Sequence, residues 1–253
     1  AHLIRNGLAP LLGRMVEEGW LQHIATNGAG SIHDWEFAFL GRTCEDVEEY
    51  VSSGQFGMWE ETGGSIGLAL LVGAFDGLGY GHSIGRMIVE ERIDVPEREE
   101  LLAALEAGAC GGPGAAPRAA AAADLLDVMD NSGLESGPLD LPHPHSSMSI
   151  QAGCFRQGAR FTVHPGSGQD IIYPHPLLNG GAVGRASMSD FLLYADTISG
   201  LEGGVYLSVG SAVMSPMIFE KSISMARNLA RSGKASPEDF HIVVNDLAES
   251  TWD

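Results

Sequence analysis

Short apolar runs alternate with segments of helical period along this chain, and loops of small or polar residues follow the runs. Residues 21–26, 160–163, 171–173, 205–209 and 241–244 read as strands, and 32–40, 187–201 and 216–231 as helices. Strands separated by helices pair in parallel, because the connection must cross back over the sheet before the next strand begins. An α/β fold is therefore expected, with helices covering the sheet and ligands outside the C-terminal ends of the strands. Four loops occupy such positions, at residues 27–31, 164–170, 210–215 and 245–246. Small residues after a strand let backbone N–H groups approach a phosphate, and a helix N-terminus beyond them favours the anion. Strand-to-helix turns use glycine for conformational reasons as well, so that alternative stands beside the phosphate reading. Neither GxGxxG nor GxxxxGK[ST] is present, which leaves standard Rossmann and P-loop chemistry unsupported.

The remaining segments are read from their own signals. Residues 3–19 carry Leu8, Leu11, Leu12, Met15 and Val16 at helical spacing and stop at Gly19, as one helix with a glycine cap. Thr43 followed by Asp46 resembles a capping box that opens a helix to Val51. Residues 65–91 are apolar and glycine-rich and predict two packed helices broken near Gly79-Tyr80-Gly81. Residues 98–107 predict an amphipathic helix. From 108 the composition turns to Ala, Gly and Pro, so 108–149 is expected to be an insertion, a lid or a flexible segment within a single domain spanning 1–253.

Charge narrows the partners. Thirty-three Asp plus Glu against 14 Lys plus Arg give a formal charge of −19, the opposite of what nucleic-acid or anionic membrane surfaces require. A cationic small molecule is compatible with it. Cys44, Cys110 and Cys154 form no CxxC pair, which excludes a disulfide framework and a thiolate zinc site and favours a reducing cytoplasm. No uncharged apolar run reaches the roughly 18 residues of a spanning helix.

His33, Asp34 and Glu36 open the helix after the first loop. They read either as a carboxylate and imidazole set facing the ligand crevice or as first-turn acids favoured by the helix dipole. Asp170 ends the turn Pro165-Gly166-Ser167-Gly168-Gln169-Asp170, as a ligand or as a turn residue. His143, His145, His164 and His175, with Asp170, form a possible metal set without HExxH spacing. No G-x-S-x-G elbow is present, the cysteines have no obvious partner, and Met214, Met217 and Met225 read as packing residues.

In these blocks the chain resembles the deoxyhypusine synthase family. Ala1-His2-Leu3-Ile4-Arg5-Asn6-Gly7 is similar to the family's opening Ser-Asn-Leu-Ile-Ser-Ser-Gly. Asn27-Gly28-Ala29-Gly30-Ser31-Ile32-His33-Asp34 follows at similar distance, where the family has Thr-Ala-Gly-Gly-Ile-Glu-Glu-Asp. The turn ending in Asp170 resembles Asp-Gly-Ser-Leu-Gly-Asp-Met-Ile. Gly210-Ser211-Ala212-Val213 falls on the family's glycine loop, and Val244-Asn245-Asp246-Leu247 on its Ile-Asn-Thr-Ala strand end. The resemblance implies a doubly wound, mainly parallel NAD-binding fold with helices on both faces, in a homotetramer with active sites between subunits. It implies NAD held by His2, Asn27, Gly28, Ala29, Gly30, Gly210, Ser211, Asn245 and Asp246. It also implies a polyamine-type cation at Asp170, with His33 or Asp34 replacing an acidic pair.

The departures bear on the reaction. Lys221 and Lys234 are the only lysines, and none follows Glu249 or Trp252, where the family carries its imine-forming lysine. Pro216 stands where the family has a polyamine-binding His, and Pro165 where it has a cofactor-contacting Asp. The expectation is an NAD-dependent transferase or oxidoreductase that takes a small amine-bearing substrate by reversible hydride abstraction, with Asp170, Asp34 and Glu36 holding the cation. Protein deoxyhypusination is not expected. The alternatives are a metal-dependent hydrolase or lyase using the histidine set, and a catalytically inactive NAD-binding assembly subunit. The apolar 65–91 stretch adds to the expectation of a tetramer.

Overall fold

Asn27 ends a strand and caps the helix that follows, and this one junction sets the geometry of the N-terminal half. The computed structural model describes residues 1–233 and 236–247. Lys234, Glu249 and Trp252 therefore lie outside the described residues.

The chain opens with α1 (His2–Arg5) and α2 (Ala9–Glu17), which Gly7 separates in a left-handed conformation. Two helices thus replace the single one expected over 3–19. Then come β1 (His23–Asn27), α3 (Gly28–Leu40) and α4 (Val47–Ser53). Asp46 caps α4 by accepting from Glu49 N–H, so the capping box expected at Thr43 does not form. A π-helical turn, Glu60–Gly64, leads into α5 (Ser65–Phe75), and α6 (Tyr80–Glu90) follows the expected break. β2 (Arg92–Val95), α7 (Arg98–Cys110), α8 (Ala115–Ser132) and β3 (Gly137–Asp140) come next. α9 (Ile150–Gln157), β4 (Arg160–His164), α10 (Gly180–Ser199), β5 (Val205–Val209), α11 (Met214–Ala230) and β6 (His241–Asn245) complete the described order.

β1 pairs in parallel with β4, in register from His23 opposite Arg160 to Asn27 opposite His164. β5 and β6 are also parallel, and β2 and β3 form an antiparallel ladder absent from the sequence reading. The architecture is mixed α/β with short parallel pairs, arranged among the described residues as three two-stranded sheets. The strand expected at 171–173 is turn instead, because the segment folds back on itself through bonds such as His175 N–H to the Ile172 carbonyl.

The chain divides into two compact units, Ala1–Asp190 and Phe191–Asp253, where the sequence reading has one domain. In the first unit α5 is buried on nearly every side, from Ile66 to Phe75, among α6, α8 and the β2 strand. The apolar 65–91 stretch is therefore satisfied within the chain, which removes that argument for a tetramer. Residues 108–149 supply core as well: Ala121, Ala122, Leu125, Leu126 and Met129 of α8 are buried in the same cluster. The segment is a structural part of the unit, since alanine gives α8 helix propensity and a close-packing face against α7. The second unit packs Tyr194, Ile198, Phe219 and Ile223 around the β5–α11–β6 crossover. Met214, Met217 and Met225 are exposed there rather than packed. No single helix among the described residues is long and apolar enough to cross a membrane. The bent pair formed by Glu60–Phe75 and Tyr80–Glu90 passes only by joint composition.

Candidate functional site

Gly28 begins α3 directly after β1, so residues 28–31 are the first helical turn rather than a free loop. The Asn27 side chain accepts from Gly30 N–H at 3.0 Å, satisfying one of the orphan donors of the helix end. Asp170 reaches the same end from the turn after β4. Its carboxylate takes the backbone N–H groups of Gly166 and Ala29, and it is 8 % exposed. The closeness explains the glycines. A β-carbon at Gly28 would meet Asp170, and one at Gly30 would lie 2.0 Å from Thr26 Oγ1.

This corrects the expected phosphate cradle at Asn27, Gly28, Ala29 and Gly30. The positive end of α3 already carries a carboxylate of the protein, and a phosphate beside it would meet like charge. What the junction offers instead is an acceptor. Asp170 Oδ2 is buried with no hydrogen-bond partner among the described residues, and the same holds for the hydroxyl of Tyr80, which is 0 % exposed. Burial raises the Asp170 pKa above the usual carboxylate range, against the pull of its two backbone donors. Burial likewise raises the Tyr80 phenol, and the charge of Asp170 adds to it. Tyr173 lies in the same field, pushed up by burial and by Asp170, while a bond from Ser167 opposes the shift.

α3 begins at Gly28, so His33, Asp34 and Glu36 lie beyond its first turn rather than opening the helix, and they separate by helical angle. Asp34 points to α9 and is fully buried. It accepts from Ser149 Oγ at 2.5 Å, Ile150 N–H at 2.9 Å, Gln151 N–H at 3.1 Å and Gln151 Nε2 at 3.0 Å. With those four donors it caps α9, which corrects its assignment to the ligand crevice. His33 and Glu36, three residues apart, share another face. His33 Nδ1 lies 2.6 Å from Thr43 Oγ1 and 3.8 Å from Glu36 Oε2, and Thr43 donates its hydroxyl to Glu36. Glu36 does not reach toward Asp170 but holds the 43–44 backbone, accepting from Cys44 N–H at 3.2 Å. Thr43, Cys44 and Tyr80 were not legible as site residues, and the His33–Glu36 spacing was the one available signal.

In the second unit, Gly210 and Asn245 meet at the C-terminal end of the parallel pair, where Gly210 N–H donates to the Asn245 carbonyl at 2.8 Å. Gly210 has φ +60°, a conformation that glycine adopts without strain. Ser211 Oγ accepts from Ser215 N–H at 3.1 Å at the head of α11. The α11 first turn carries no acidic residue. Asp246 follows β6, and His2, on the first unit, is exposed at the start of α1.

The histidines are dispersed. His143 packs edge-on against Trp35 and Phe39, His145 against Gly41, and His175 bonds Glu60 at 3.0 Å. His164 lies 3.1 Å from Thr162 Oγ1. Among the described residues no group of three or more His, Cys, Asp or Glu side chains is placed to hold a metal ion. A cavity of about 440 Å³ in the first unit is lined by Asp76, Arg86, Glu90, Arg92 and Asp94 among others. Both of its arginines are paired within the lining, Arg86 with Asp76 and Arg92 with Asp94, and it contains none of the site residues expected from sequence. Comparison with family models, with curated proteins and with solved structures gives no match.

Proposed function

We propose that the protein is an NAD-dependent enzyme of the deoxyhypusine synthase-like type, acting on a small amine-bearing substrate by reversible hydride abstraction. The observation that carries the reading is Asp170, a buried carboxylate with a bare oxygen just beyond the C-terminal ends of the parallel strands β1 and β4. An ammonium group donating to Oδ2 satisfies it, and burial makes that ion pair stronger than in water. The Tyr80 hydroxyl is the second bare polar group in the field of Asp170 and supplies an acceptor or a donor to the same substrate.

For NAD, the residues that fit an anion are those of the second unit. Gly210, Ser211 and the head of α11 follow β5 in a strand–helix–strand crossover whose second strand ends in Asn245 and Asp246. Such a turn suits a diphosphate. NAD supplies the hydride acceptor when bound, and the chain's own part is to bind and orient. The reading carries with it a doubly wound fold, supported by the two parallel pairs, and a homotetramer. The exposed Val205, Leu207, Ile242, Val243 and Val244 support association. Protein deoxyhypusination is outside the proposal, since Lys221 is exposed on α11 beside Glu220.

Calorimetry with NAD and with putrescine, titrated separately, tests the reading. Asp170→Asn is expected to weaken amine binding about 30-fold or more, as loss of a buried charged partner does, and to leave NAD binding nearly unchanged. Equal losses for both ligands, or no amine binding by the unaltered protein, would overturn it. Turnover measured as NADH absorbance separates the enzyme from an inactive NAD-binding subunit.

A further inference from the structure

Cys44 sits in a cluster that its sequence neighbours do not announce. Its thiol is exposed, 3.8 Å from Thr43 Oγ1 and 3.9 Å from His33 Nδ1. Thr43 has one hydroxyl proton and donates it to Glu36, so the 2.6 Å contact with His33 requires the proton of that bond to be on Nδ1. Thr43 Oγ1 is then a hub that accepts from imidazole and thiol and donates to a carboxylate. Glu36 is 1 % exposed, and its second oxygen, Oε1, has no hydrogen-bond partner among the described residues.

We propose that Cys44 is a reactive thiol whose ligand class is the small disulfide, and that Thr43, Glu36 and His33 position and activate it. The Cys44 S–H proton passes to Thr43 Oγ1 as the Thr43 proton passes to Glu36, leaving a thiolate beside the His33 Nδ1–H. The thiolate attacks one sulfur of the disulfide. A mixed disulfide forms, the original S–S bond breaks, and the departing thiolate recovers the proton through Thr43. The disulfide is the oxidant, and one equivalent of small thiol is released. The adduct then stands beside His33 and Glu36. This inference does not depend on NAD or on the amine.

The other cysteines are internal references. Cys110 is exposed but ends α7, where the negative pole of the helix opposes a thiolate. Cys154 is buried, and its thiol is pushed up to about 12 by burial and then by Asp34.

The test is the per-site rate of reaction of the full chain with dithiodipyridine at neutral pH, read by peptide mass spectrometry. Cys44 is expected to react about tenfold or more faster than Cys110, with Cys154 unreactive. Thr43→Val and Glu36→Gln are expected to bring Cys44 down to the Cys110 rate. Unreactive Cys154 shows that the variants are folded. Similar rates for Cys44 and Cys110 in the unaltered chain overturn the proposal, whether or not the variants fold. So does a Cys44 rate that both folded variants leave unchanged.

Discussion

A β-carbon on Gly28 would stand 2.1 Å from Asp170 Oδ2, so the first residue of α3 and the last residue of the turn after β4 constrain each other. Gly28→Ala should press the carboxylate off the helix end and lower stability by about 1–3 kcal/mol, the usual range for overpacking. Paired with Asp170→Ala, the alanine should be much better tolerated than in the unaltered background. Urea unfolding of the two single variants and the double variant measures the coupling, and simple additivity would remove the constraint from the account.

Asp34 is expected to matter for folding rather than for binding. Asp34→Ala strands two α9 backbone donors and the side chains of Ser149 and Gln151 in a buried place, at a cost of about 2–5 kcal/mol. Ser149→Ala, which removes one donor and the α9 cap, should cost about 1–2 kcal/mol. Thermal unfolding orders the two. An Asp34→Ala protein of normal stability with lost amine affinity would return Asp34 to the ligand site.

Two buried groups should tilt stability against pH in opposite directions. Burial raises Asp190 to about 7, so its folded-state pKa is above the unfolded value of 3.8, and the stability it contributes is lost as pH rises through that window. Burial lowers His143 to about 4, below its unfolded 6.5, so its contribution is lost as pH falls from 6.5 toward 4. Asp190→Asn should therefore gain on the unaltered protein as pH rises from 4 to 7. His143→Phe should gain on it as pH falls from 6.5 to 4. Urea midpoints at half-unit pH steps show both slopes, and a pH-independent gap in either case removes that assignment.

Association in solution should be carried by the second unit. Val205, Leu207, Ile242, Val243 and Val244 are about half exposed or more. Leu207→Lys with Val243→Lys should shift light scattering from oligomer to monomer, because like charges would face an apolar contact. A protein that is monomeric at micromolar concentration before substitution contradicts the tetramer.

The sequence made much of the element order legible, because β1, β4, β5, β6, α5 and α6 each carry a clear period or a glycine break. It hid the β2–β3 ladder, whose four-residue strands are too short for a pattern. It also gave residues 171–173 an apolar strand signal that local turn bonds override. For the site, Asp170 was readable as the end of a turn, but its place on α3 is a contact between segments more than a hundred residues apart. His33 and Glu36 were readable as an i,i+3 pair. Asp34, chemically the same kind of residue, turns inward because 100° per residue places it on the α9 side. Cys44 was not legible because His33 and Glu36, which complete its cluster around Thr43, come from α3 and not from its own segment.

Asp190 has one more consequence. One of its oxygens takes Gly81 N–H at 3.0 Å and Val163 N–H at 2.7 Å, so it caps the start of α6 and occupies β4 on the side away from β1. A two-stranded parallel ladder has open edges that invite strand addition by another chain. Here the Asp190 carboxylate takes the outward Val163 N–H, and the start of α6 that it caps lies against the Phe161 carbonyl. Any fragment made to study the first unit alone must therefore run past residue 190. Cut earlier, it would expose a sticky strand edge and aggregate for a reason unrelated to its core.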